Sequence, residues 1–177
     1  MILSDFDLMN FINSKRLEIT PFDPVIVREN GVDLRITDEV AVRNETHPEG
    51  FVFDPDNPEH MKEEYIVSRN KTIIVKQKSQ VLLSTKEYIK MPDNLVGFVE
   101  LRSTWARHGL VMPPTIIDAG FAGNITLEIF NSSPYAIKLK PDTRFAHVIF
   151  SMTMNRVEKA YSGRYFGQRG LTPPKPL

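Results

Sequence analysis

Three stretches of the 177-residue chain bring together side chains able to do chemistry. Residues 101–110, LRSTWARHGL, follow an apolar run and set two hydroxyls, Ser103 and Thr104, between Arg102 and Arg107. Guanidinium forks suit phosphate oxygens, and a helix starting near Trp105 would turn free N–H groups toward an anion. The same stretch also reads as a plain strand-to-helix junction with Ser103 as N-cap. Residues 116–131, IIDAGFAGNITLEIFN, hold Asp118 and Phe121 in a glycine-containing turn and Glu128 inside an apolar run. Asp118 can accept from a sugar hydroxyl or orient a water, and Phe121 offers a flat face; a simple hairpin with Asp118 as turn former is the alternative. Ile125, Leu127 and Ile129 alternate with Thr126 and Glu128, so the carboxylate faces away from the aliphatic set. On that face it is either solvated or held in a pocket, where desolvation raises its pKa as general acid–base work requires. Residues 161–170, YSGRYFGQRG, combine Tyr161, Arg164 and Gln168 with three glycines, like a flap closing over phosphates. A loose basic terminus is the other reading, but Tyr161, Tyr165 and Phe166 are costly to leave in water.

The elements that must position these groups are mainly strands. A short helix opens the chain: Ser4 is a good N-cap, Asp7 stands three residues on, and Leu8, Phe11 and Ile12 share a face. From Val25 onward short apolar runs are punctuated by Pro, Gly, Asn and Asp, the pattern of an all-β domain. Strands are predicted at 32–36, 72–75, 80–85, 96–101, 125–130, 136–139 and 144–150. Residues 44–65, polar, acidic and carrying three prolines, are expected to form a solvated insertion loop. One domain spanning 1–177 is predicted, with 156–177 as its tail; from Pro141 onward there are six basic residues against two acidic ones.

Composition removes several classes of chemistry. The chain has no cysteine, which excludes disulfides, thiolate nucleophiles and sulfur-ligated zinc. Its formal net charge is zero, against a general nucleic-acid coat. His47, His60, His108 and His147 show no paired spacing, so no metal site is expected from protein side chains, and His147, inside an apolar strand, is expected to be structural. No apolar run nears the roughly 20 residues of a membrane span, and no signal-peptide pattern is present. A soluble cytoplasmic protein with no nucleic-acid or membrane partner is expected.

Taken in order, the motifs resemble the dCTP deaminase family of the trimeric dUTPase-like superfamily. The opening MILSDFDL is similar to that family's first helix, and ENGVDLRI (29–36) to its first strand motif. RSTWARHGL is similar to its Arg-Ser-Ser block, IDAGFAGNITLEIFN to its Ile-Asp-…-Gly-…-Leu-Glu block, and YSGRYFGQRGLTP to its C-terminal phosphate-closing motif. The resemblance implies a distorted β jelly-roll or barrel, a homotrimer with active sites shared between subunits, and conversion of dCTP to dUTP and ammonia. It further implies Mg²⁺ carried by the triphosphate and no zinc, with dUTP or dTTP as further nucleotides to test. By resemblance, Glu128 is the general acid/base, and Ser103 and Arg107 hold the attacking water and tetrahedral centre. Arg102, Thr104, Asp118, Phe121, Tyr161, Arg164 and Gln168 bind substrate.

The chain departs from the family pattern in three places. Thr104 replaces a Ser and keeps the hydroxyl. Arg164 stands where Lys is frequent. The segment VMPPT (111–115) is shorter than in many members and stiffened by two consecutive prolines. Other readings stay open at this point: a dUTPase, a bifunctional enzyme releasing dUMP and pyrophosphate, or a nucleotide-sensing module without catalysis. Glu128 argues against a simple dUTPase, where that position is usually aliphatic.

Overall fold

All seven predicted strand regions are strands in the computed structural model, which describes residues 1–176. Residue 177, the last of the tail predicted over 156–177, lies outside the described residues. The predicted helix is α1 (Asp5–Asn13). The Ser4 hydroxyl accepts from the Asp7 amide at 3.3 Å while Asp7 Oδ2 accepts from the Ser4 amide at 3.1 Å, the reciprocal box the sequence predicted. Its Leu8 and Phe11 are buried.

The strands are β1 (Glu18–Thr20), β2 (Val27–Arg28), β3 (Gly31–Arg43), β4 (Tyr65–Arg69), β5 (Ile73–Val75), β6 (Gln80–Lys90) and β7 (Leu95–Leu101). They continue with β8 (Leu110–Val111), β9 (Thr115–Ile117), β10 (Ala122–Asn131), β11 (Ile137–Leu139) and β12 (Arg144–Met152). Two short helices, α2 (Pro58–Glu63) and α3 (Ser103–Arg107), complete the set. One antiparallel sheet runs β8-β10-β6-β3-β12-β7-β9, with β1 on β6 and β2 and β4 on β3; β5 and β11 pair separately. The mainly β architecture is as expected.

Strand β3 makes the corner. Its first half pairs with β12, Val32 opposite Val148 and Leu34 opposite Ala146. Its second half pairs with β6 and β4, Ala41 opposite both Leu82 and Val67. Between the halves the register against β6 jumps from Ile36–Thr85 to Val40–Leu83, a bulge that bends the strand and curls the sheet onto itself. The enclosed core is aliphatic and aromatic, with Leu34, Ile36, Leu83, Phe145 and Phe150 fully buried. His147 is structural as predicted: its Nδ1 lies 3.0 Å from the buried Asp33 carboxylate.

The insertion differs from expectation. It contains α2, capped by Asn57, whose side chain accepts from the Glu59 amide at 3.0 Å. His47 stacks on Phe51 at 4.1 Å, and Glu64 is buried where β4 begins. Among the described residues no helix is long and apolar enough to cross a membrane.

Candidate active site

Strand β10 is the spine of the site. Ile125, Leu127 and Ile129 enter the core, so pleating puts Thr126 and Glu128 on the opposite face. Glu128 pairs with Leu82, and Leu82 with Ala41, so three adjacent strands form the floor of a cavity of about 440 Å³. Burial pushes the Glu128 carboxyl above its ordinary value, only partly offset by a hydrogen bond from its own backbone N–H. Among the described residues it has no salt-bridge partner, so its proton is free to be exchanged with a ligand.

One wall comes from the ends of the insertion, which the pairing of Arg43 with Tyr65 sets side by side. Arg43 donates to the Tyr65 hydroxyl at 3.0 Å and to Gln80 Oε1 at 3.4 Å, and lies 3.3 Å from Glu64. Burial pushes the Tyr65 phenol up, the Arg43 hydrogen bond and charge pull it down, and the carboxylates of Glu64 and Glu128 add to the rise. Sequence reading missed this wall because its members lie on either side of a long insertion. The apolar run Tyr65-Ile66-Val67 was the available signal, and it stands half exposed.

The opposite wall is the turn before β10. Gly120 takes φ +83, and the Phe121 amide donates to the Asp118 carbonyl at 3.0 Å, closing the predicted turn. Asp118 and Phe121 both line the cavity. The tail is docked, not loose. Tyr161 meets Phe121 ring to ring at 5.5 Å, and its amide donates to Ala119 at 3.0 Å. Gln168 forms a parallel bridge with Gly123, and its carbonyl accepts the Asn124 amide at 3.1 Å. The side-chain Oε1 of Gln168 is buried and, among the described residues, has no hydrogen-bond partner. Phe166, expected to dock with its neighbours, is 54% exposed.

Five predicted residues therefore converge: Glu128, Asp118, Phe121, Tyr161 and Gln168. The other five do not line this cavity. Ser103, Thr104 and Arg107 are exposed on α3. Ser103 is not an N-cap; that place falls to Arg102, whose guanidinium has only donors and so makes no side-chain cap bond. Arg102 Nε lies 3.3 Å from Asp33 and its Nη1 donates to the Arg144 carbonyl at 3.1 Å. Arg164 is exposed and donates to the Pro176 carbonyl. Among the described residues no group of three or more His, Asp or Glu side chains is arranged to hold a metal ion.

The curled β-sheet carries a cavity beneath a docked tail, with Glu128, raised by burial, on its floor. The chain belongs to the dCTP deaminase-like family, whose model matches residues 2–153. It is 47% identical over 177 residues to a dCTP deaminase of Pyrobaculum arsenaticum, covering 100% of this chain and 98% of that one. A dCTP deaminase of Saccharolobus solfataricus is 45% identical over 99% of this chain and 92% of its own length. The fold is similar to the crystal structure of the 2′-deoxycytidine 5′-triphosphate deaminase of Agrobacterium tumefaciens, with TM-score 0.65 and 16% identity. That match covers 84% of this chain and 46% of the other, so this chain spans less than half of that protein.

Proposed function

We propose that this protein deaminates dCTP to dUTP and ammonia in the cytoplasm. The observation that carries the reading is Glu128: a carboxylate raised by burial, with no salt bridge, on the cavity face of β10. Full-length relatives named for this activity support it. In the reaction Glu128 takes a proton from the attacking water as oxygen bonds to C4 of the base. It passes that proton to N3, then carries the C4 hydroxyl proton to the amino nitrogen, so that C4=O forms as the C–N bond breaks and ammonia leaves. Asp118 accepts from the sugar hydroxyl, Phe121 packs on the deoxyribose, and Tyr161 and Gln168 close on the triphosphate. With no cysteine in the chain, a carboxylate with fixed donors is the means of activating water.

The resemblance gives the water and the tetrahedral centre to Ser103 and Arg107, which do not line the cavity of their own chain. Ser103 and Arg107, exposed on α3, fit that task only from a second copy, so we assign the site to two subunits of a homotrimer. Arg102 and Thr104 would reach the phosphates from the same copy, and Arg164 from the tail. Mg²⁺ enters as part of the nucleotide substrate. Incubation with dCTP and Mg²⁺ releases ammonia and leaves dUTP. No turnover of any cytosine nucleotide would sink the reading, and pyrophosphate with dUMP as product would assign a bifunctional hydrolase instead. Running dUTP and dTTP beside dCTP tests them as substrate and inhibitor.

A further inference from the structure

The pairing breaks register on both edges of β6, and the tail is held beside each break. On β3 residues 37–39 bulge between the Ile36–Thr85 and Val40–Leu83 pairs. On β10 the register against β6 shifts between Asn124–Tyr88 and Thr126–Ser84. Beside these two irregularities the side chains of Glu39 and Asn124 accept consecutive tail amides. Asn124 Oδ1 accepts the Gly170 N–H at 3.1 Å, and Glu39 Oε2 accepts the Leu171 N–H at 2.8 Å.

Each acceptor is itself held. Arg69 donates to Glu39 Oε1 at 2.7 Å, and Asn124 Nδ2 donates to the Thr85 carbonyl at 3.0 Å. The approach requires glycine: Gly170 takes φ +65, and a Cβ there would stand 2.6 Å from Glu39 Oε2. Just before the clamp, Gly167 donates to Ala122 at 2.6 Å and Arg169 lies 3.8 Å over the Tyr88 ring. Just after it, Thr172 and Thr126 bond each other at 3.3 Å. Gln168, one of the residues lining the cavity, sits between these anchors.

We infer that Glu39 and Asn124 are positioning residues that clamp amides 170 and 171 and so hold the lid, with Gln168, over Glu128. Every partner in the clamp belongs to the chain itself. The kinetic consequence rests on the deaminase reading above; the clamp does not.

Hydrogen exchange on the full-length protein, without nucleotide, reads the clamp directly. In the wild type the Gly167, Gly170 and Leu171 amides exchange more slowly than unstructured ones. Glu39→Ala speeds exchange of Leu171 and Gly170 by about tenfold or more, as expected for losing a hydrogen bond to a charged group. Glu39→Gln, which keeps an acceptor, restores part of the protection. Gly170→Ala, a change in the tail alone, acts like Glu39→Ala. Unchanged amides of the β6–β10 ladder show that the body stays folded.

With dCTP, Glu39→Ala raises KM by the factor by which the closed fraction of the lid falls, as read from exchange, and leaves kcat within about threefold, because apparent binding weakens with the loss of the competent population. Wild-type Leu171 exchanging at the unprotected rate, or equally fast in both proteins, overturns the clamp. A closed fraction lowered severalfold with unchanged KM overturns its positioning role. Should dCTP not turn over at all, the reading of the site falls while exchange still decides the clamp.

Discussion

Replacing Glu128 by Gln separates chemistry from structure. Gln keeps the shape of the side chain and removes its charge and its exchangeable proton. Positioned general acid–base catalysis contributes about 10²–10⁴-fold, so kcat should fall by that factor, about 2.7–5.4 kcal/mol of barrier. The fold should not suffer. Glu128 has no salt-bridge partner to leave behind, and the Arg43–Glu64–Tyr65–Gln80 wall is satisfied within itself. Burial raises the folded-state pKa of Glu128, so at neutral pH its ionised form weighs against the folded state. Sign and window follow: below the ordinary value of 4.5 both states hold the proton and the penalty vanishes, while above the raised value it is complete. Glu128→Gln should therefore be no less stable than the wild type at neutral pH, and should lose any advantage in acid. The wild-type kcat/KM should fall as pH drops through a midpoint above 4.5, because the base must be ionised in the free enzyme. Ammonia release against pH, dCTP affinity by calorimetry and urea melts of both proteins are the assays. A variant retaining activity within tenfold, or one inactive but grossly destabilised, would refute the reasoning.

The remaining predictions concern assembly and scaffold. Arg107→Ala and Glu128→Gln proteins, each inactive alone, should regain roughly a quarter of wild-type activity when mixed subunits reassemble, if sites join residues of two copies of a cyclic oligomer; no recovery argues for a site within one chain. Glu87 is fully buried and accepts from Arg35 Nε at 2.6 Å and from the Arg35 amide at 2.7 Å. Glu87→Ala should cost about 3–5 kcal/mol in denaturant melts by leaving a charge without its partner. Burial opposes ionisation of Asp33, but the His147 hydrogen bond and the charges of Arg102, His147 and Arg144 outweigh it and hold the carboxyl below 3.8. Its contribution is thus present above pH 3.8 and lost as pH falls through the lower folded value. The stability gap between wild type and Asp33→Asn should narrow over that acid range, and a gap independent of pH would contradict it.

Legibility followed the range of the forces. The Ser4–Asp7 box and the alternation around Glu128 are local, and both were readable from neighbouring residues. Strands β1, β2, β4, β8 and β9 are only two to five residues long, and all but β2, which pairs with the start of β3, exist through partners well separated in the chain; no periodicity could announce them. The Asn57-Pro58 start of α2 carried a helix signal, but six residues fall below the length at which pattern is informative. Ser103 looked like a cap because hydroxyls commonly cap; the backbone turned one residue earlier, at Arg102.

Of the candidate site, residue types and family were legible in the amino acids alone: a carboxylate opposite an aliphatic face, arginine forks, and a glycine-rich aromatic tail. Their grouping was not. Folding placed Glu128, Asp118, Phe121, Tyr161 and Gln168 around one cavity and left Ser103, Thr104 and Arg107 exposed on α3. It also brought Arg43, Tyr65 and Glu39 into play through strand register and a bulge. Which side chains meet across a sheet depends on pairing between distant strands, and a shift of one residue reverses every face. That choice is made by the packed core as a whole, so only the tertiary structure decides it.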